Sequence, residues 1–313
     1  MRGWKLALAL ALALLAGGAG ALPESREIEG LKLVGTLAVD GGAETSVTAL
    51  TAVRATGEEE PETFSGTGDS LAQACRRLRE GSSRRTYLGQ TEQLLIGEES
   101  DLNAALDFVL VDRELRMDTS LYIVKGPAGA ALAASAERAS EETGGQDPRR
   151  RTVGETLARL SEGEYALVPA LAVGEEGALA PAGWAVVGPL GLAGYLEEDA
   201  ALGAILLDGD GEGEVVTLPG GAVELTAVRT WAQNGRVKCG IEARRAQGEP
   251  DMKALEAWGE RMICAALAPG WDCWGLDRQL ACPQFWMWER AKGTDVGKLD
   301  VEVTGRLVEG HGP

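Results

Sequence analysis

The residue types that most often carry chemistry are scarce in this chain. His311 is the sole histidine and lies next to the C-terminus. That removes Ser-His-Asp and Cys-His nucleophile arrangements and any H-E-x-x-H metal site. Gly66-Thr67-Gly68 is two residues short of a dinucleotide fingerprint, and Asp69 follows it. A phosphate loop of the Walker type is also missing from the sequence. Asp208-Gly209-Asp210-Gly211-Glu212-Gly213 opens like a calcium loop, with oxygens at positions 1, 3 and 5 and glycine at 6. Position 12 is Pro219, which cannot supply the closing carboxylate, so the run reads as a mobile hairpin loop between two strands. The acidic run at 57–62 has no ligand spacing either. The five cysteines, Cys75, Cys239, Cys264, Cys273 and Cys282, form no C-x-x-C pair. Cys264, Cys273 and Cys282 are nine apart, which puts neighbours on opposite faces of a helix. They read as buried thiols, with one C-terminal disulfide after export as the alternative. No catalytic, cofactor or metal residue is expected. Chemistry by paired carboxylates alone stays open.

Composition narrows the partners. Of 313 residues, 48 are Asp or Glu and 30 are Lys or Arg, a net charge of −18. Such a surface repels nucleic-acid phosphates and anionic lipid, so no nucleic-acid role is expected. Arg149 to Arg151 is the one basic run and reads as a solvated loop. Residues 1–21 have the form of a secretory signal: Arg2 and Lys5, a Leu/Ala core from Leu6 to Leu15, and small residues at Ala19-Gly20-Ala21. The core is short for a bilayer span of ~20 residues. Cleavage before Leu22 is expected, with a retained anchor helix as the alternative.

The elements are read from periodicity. Leu31 to Val39 alternates as a strand, and Val47 to Thr56 is its partner after Gly41-Gly42. Ser70 caps a helix carrying Leu71, Ala74, Cys75 and Leu78. Leu94-Leu95-Ile96 is a buried strand, Leu102 to Leu110 a helix, and Ser120 to Val124 a second strand. Strand, helix, strand at this spacing is a crossover unit over a sheet face. A helix from Ala128 to about Glu142 follows. Thr152 and Glu155 resemble a capping box for a helix to Ser161. Later come a strand at 164–173 placed at an edge or bulge by Pro169, a strand at 182–187, a turn at 190–196, a short helix at 197–202 and a strand at 204–207. Asn234-Gly235 marks a type I′ hairpin between strands 222–233 and 236–245. A long helix follows Pro250, further helices cover 271–280 and 283–288, and an alternating strand closes at 298–308. The fold class is α+β: three consecutive mixed domains after the signal, at 22–163, 164–220 and 221–313.

Ser70-Leu71, Ala74, Leu78, Arg84-Arg85, Tyr87-Leu88-Gly89, Ile96-Gly97-Glu98, Asp107-Phe108, Glu114-Leu115-Arg116 and Lys125-Gly126 occur in an order and spacing that resemble the Ger(x)C family, the C subunits of spore germinant receptors. Arg26-Glu27-Ile28, then Pro169, Gly183, Ala185-Val186, Gly194 and Leu196, then Asp272, Trp274-Gly275-Leu276, Pro283 and Trp286, continue the likeness. The resemblance implies a non-enzymatic subunit that assembles with integral-membrane A and B subunits on the outer face of the spore inner membrane. The family's members are usually lipoproteins. Here the first cysteine is Cys75, so the lipid-acceptor residue is missing, and attachment falls to partner subunits or a retained signal helix. Arg84, Arg85 and Tyr87 are candidate docking residues. Trp271, Trp274, Trp286 and Trp288 are a second set, read either as core packing or as an exposed patch. Two other functions stay open: a secreted hydrolase using two carboxylates, and an extracytoplasmic protein that itself binds the nutrient.

Overall fold

A computed structural model describes residues 30–52, 61–136, 150–174, 179–281 and 295–308. The expected signal at 1–21, most of the acidic run at 57–62, and Trp286 and Trp288 lie outside them. Among the described residues, nine strands form a first sheet: β1 (Leu31–Asp40), β2 (Thr45–Thr51), β3 (Thr63–Gly68), β4 (Arg85–Tyr87), β5 (Gln93–Gly97), β6 (Ser120–Lys125), β7 (Ala166–Val173), β8 (Leu179–Gly188) and β9 (Gly191–Leu196). Their order is β3-β2-β1-β5-β6-β7-β8-β9, with β4 alongside the start of β1. β1, β5, β6 and β7 are parallel, and antiparallel strands flank them on both sides.

Parallel strands need crossovers that cover the sheet, which explains the apolar run Leu94-Leu95-Ile96. Leu94 and Ile96 pack with Leu121, Ile123 and two helices, α1 (Leu71–Glu80) and α2 (Leu102–Val111). Leu95 faces the other way, onto Ala38, Val124 and the start of α3 (Ala128–Ala136). Ser70 caps α1 by accepting from Gln73 N, and Asp101 caps α2 by accepting from Ala104 N. The capping box of Thr152 and Glu155 opens α4 (Val153–Ser161), which leads into β7.

The second sheet contains β10 (Val215–Leu218), β11 (Gly221–Gln233), β12 (Arg236–Gly248) and β13 (Asp300–Leu307), in that order. Asn234 and Gly235 have φ of 53° and 75°, the left-handed pair that a type I′ turn requires. Two helices cover one face: α5 (Glu198–Asp208) and α6 (Met252–Leu267). They approach so closely that a Cβ on Gly203 would fall 1.9 Å from the Met262 carbonyl oxygen. A short helix, α7 (Leu276–Ala281), follows a loop.

The chain is not divided as the boundaries at 163/164 and 220/221 suggest. β7 pairs with β6, so the first sheet continues through the expected middle unit, while β10 belongs to the second sheet. The physical reason is a set of three two-faced strands. Val168, Ala185 and Val187 point into the first core; Leu167, Val186 and Leu196 point into the core built on α5, α6 and the second sheet. Burial on both faces makes β7, β8 and β9 a shared wall.

Local readings change with it. Residues 204–207 are not a strand but the last turns of α5, buried against α6 and β11. The expected turn at 190–196 is β9. Pro169 sits not at an edge but in an interior strand, and the alternative of a bulge holds: a register shift against β8 absorbs its missing N–H. In the stretch 271–280 only Leu276 onward is helical, because Asp272 accepts from the N–H groups of Trp274, Leu276 and Asp277 and so caps α7.

Candidate docking surfaces

Open α/β sheets hold ligands beyond the carboxyl ends of their parallel strands, often with an anion at a helix N-terminus. Here the chain occupies that place itself. Asp40 ends β1, and its two carboxylate oxygens accept from Ala128 N at 2.6 Å and Gly129 N at 2.7 Å, the first amides of α3. A negative group on two aligned N–H donors complements the helix dipole. Gly97 and Gly129 allow the approach: a Cβ on them would lie 2.4 Å and 2.9 Å from the Asp40 oxygens. Beside this seal, the Tyr195 hydroxyl donates to Glu98 at 3.2 Å, and Lys125 lies 4.4 Å from the Tyr195 ring centre while pairing with Glu197. Burial, then the nearby Glu98 and Glu197 charges, push the Tyr195 hydroxyl up, so it stays protonated. Ile96-Gly97-Glu98 and Lys125-Gly126, distant in sequence, meet at this closed end.

The amino ends of the same strands are open. The C-termini of α1 and α2 arrive there beside β4. Arg79, in the last turn of α1, pairs with Asp112 at 3.0 Å and Glu114 at 3.6 Å. Burial works against the charge of Arg79, and Asp112 and Glu114 more than offset it, so its pKa is held above the ordinary value. Glu114 also accepts from Leu88 N, tying the loop after α2 to β4. Around this knot lies an open cleft of 480 Å³ lined by Arg79, Arg85, Thr86, Val111, Asp112, Arg113 and Glu114. Cys75, one turn above Arg79, is pushed up to about 12, mainly by burial, and is an inert thiol.

A narrower cleft of 230 Å³ marks the joint between the two cores. Arg151 precedes α4, ion-pairs with Asp208 and Asp210, and lies 5.5 Å from the Trp184 ring centre. The basic run is thus not a solvated loop at Arg151. The Asp208–Gly213 run is not a mobile hairpin loop either: Asp208 ends α5, Gly209 caps it with φ 80°, and Gly213 N bonds to Leu225 O. A carboxylate at a helix C-terminus opposes the dipole, so Asp208 needs its arginine. Burial pushes its pKa up, and Arg151 pulls it back.

The predicted docking residues separate. Arg84 and Arg85 are exposed and Tyr87 is half-buried. Trp274 is only 9% exposed and Trp271 lies over Gly194, so both belong to packing between the cores and form no exposed patch. The structure adds three residues that periodicity did not single out as surface groups. Leu110 and Val111, at the end of α2, are 52% and 75% exposed, and Trp231 is 41% exposed on the outer face of the second sheet. The signal for Val111 was its place at a helix end beside Asp112-Arg113. Among the described residues, no group of three or more His, Cys, Asp or Glu side chains is placed to hold a metal. No described helix is long and apolar enough to cross a membrane.

The fold and these surfaces define an α+β protein of two fused cores, with its ligand position sealed and an arginine-lined cleft open. Residues 24–143 match the family model "Spore germination protein N-terminal domain", and the chain carries that domain, as the Ger(x)C resemblance implies. In the solved structure titled "Crystal Structure of the GerBC protein" the same fold recurs, with a TM-score of 0.53 and 15% identity over 87% of this chain and 97% of that one. No curated protein matches the chain.

Proposed function

We propose that this chain is the C subunit of a nutrient-germinant receptor, acting at the outer face of the spore inner membrane through contacts with integral-membrane A and B subunits and without catalysis of its own. The observation that carries the reading is the spore germination domain at 24–143. The geometry supports it: Asp40 fills the position at which such a sheet would hold a substrate, and the clustered carboxylates Asp112, Glu114 and Asp208 are engaged by arginines. A two-carboxylate hydrolase needs such acids free in a cleft.

The test is recovery of the tagged chain from spore membranes, with mass measurement of its N-terminus. The expected result is co-purification with integral-membrane partners. The N-terminal mass separates cleavage before Leu22 from a retained helix. Recovery in the soluble fraction without partners would overturn the proposal.

A further inference from the structure

The cleft at the amino ends of the strands carries more cations than its own acids use. Arg79 engages both Asp112 and Glu114. Arg85 and Arg113 line the same cleft and have no ion pair among the described residues, in a chain with a net charge of −18. Helix ends explain basic residues in the last turn of α1, since Arg77 and Arg79 complement its dipole. They do not explain Arg85 on β4 or Arg113 in the loop beyond α2. Thr86 also lines the cleft. It is 3% exposed, and its buried hydroxyl has no hydrogen-bond partner among the described residues. Hydroxyls in such positions are ordinarily paired. Val111 stands on the rim with Leu110 one residue before it, both exposed aliphatic side chains.

We infer that this cleft docks an acidic segment of a partner protein, with a carboxylate held between Arg85 and Arg113 and an aliphatic side chain laid on Val111. These two guanidiniums, without an ion pair among the described residues, select a carboxylate, which they can bind through paired N–H donors. The concave shape favours a protruding side chain over a flat lipid surface. The chain's overall charge also repels anionic headgroups. The same overall charge makes binding of an acidic peptide a demanding test, because attraction must come from the cleft alone.

The probe is a labelled peptide of alternating Glu and Leu, titrated into the full chain by fluorescence anisotropy at low salt. A peptide with Gln in place of Glu is the control. The acidic peptide should bind and the Gln peptide should bind at least tenfold more weakly. Arg85→Glu combined with Arg113→Glu should weaken acidic-peptide binding about tenfold or more, since each exposed pair contributes a few-fold. Val111→Asp should weaken it with Arg85 and Arg113 intact. Unchanged melting temperatures show that the variants fold. Equal binding of both peptides, or no effect of the double reversal, would overturn the inference. So would binding of phosphatidylglycerol vesicles in place of peptide, which assigns the cleft to lipid, or a dimer that the double reversal dissociates, which assigns it to a second copy. The titration uses the isolated chain, so its failure leaves the receptor proposal standing, and soluble recovery from spores leaves the peptide result standing.

Discussion

The parallel strands β1, β5 and β6 end in two different ways. At their carboxyl ends the chain supplies its own anion: Asp40 sits on the first amides of α3, and Glu98, Tyr195, Lys125 and Glu197 bond to one another beside it. At their amino ends Arg79 and Arg151 are committed to carboxylates, while Arg85 and Arg113 have no such pair among the described residues. One end is spent on stability and the other keeps unused charge at the surface. In a ligand-binding sheet of this kind the allocation runs the other way. The difference teaches that the sheet serves here as a frame, closed by the chain's own groups at one end and open at the other.

The comparison can be broken most sharply at Asp40. Asp40→Ala removes two charge-assisted hydrogen bonds from a helix N-terminus and should cost about 3 kcal/mol in urea unfolding. A loss below about 0.5 kcal/mol, with a new anion-binding site at α3, would show that the closed end is a vacated ligand site. Next comes Arg151→Ala, expected to cost about 2 kcal/mol because it leaves Asp208 largely buried and unpaired. Its pH dependence follows from the raised carboxyl of Asp208. For an acid whose folded pKa lies above the unfolded one, stability is lost as pH rises from the ordinary carboxylate range through the folded value. Removing Arg151 deepens that loss. The variant's deficit should be small near pH 3, where Asp208 is neutral in both states, and full at about pH 7. A deficit independent of pH would mean that Arg151 acts by packing on Trp184.

Gly129→Ala tests the seal from the other side. Its Cβ would lie 2.6 Å from the Thr48 hydroxyl oxygen and 2.9 Å from Asp40, so a loss of about 1.5 kcal/mol is expected on thermal unfolding. The smallest effect belongs to the open end. Arg85→Glu with Arg113→Glu should change stability by less than about 0.5 kcal/mol, the range of surface positions without partners. A large loss there would reveal hidden structural partners and remove the contrast between the two ends.

Much of this was legible in the residues. Leu71, Ala74, Cys75 and Leu78 fall one helical turn apart, and all four are buried on one face of α1. Asn234-Gly235 and the Thr152–Glu155 box produced the turn and the cap that their chemistry demands. Such signals are local: a handful of neighbouring residues contains the hydrogen-bond partners or the left-handed φ, so sequence alone determines them. The order of motifs from Ser70 to Gly126 likewise identified the spore germination domain.

What the sequence could not decide was which distant groups meet. Asp40 and Ala128 are 88 positions apart, and Arg151 and Asp208 are 57 apart. A lone Asp after a strand and an arginine run before a helix look the same whether solvated or paired. The strand reading of Ala204 to Leu207 failed because four apolar residues suit a buried strand and a buried helix equally, and only packing against α6 chose the helix. Arg85, Arg113 and Arg79 carry the same charged group, and only their neighbours in the fold decide which is paired. Charge pairing and desolvation are set by separations of a few ångströms, and folding brings those about between segments with no local reason to be close. The tertiary structure alone therefore decided which arginines are held in ion pairs and which are left at the surface.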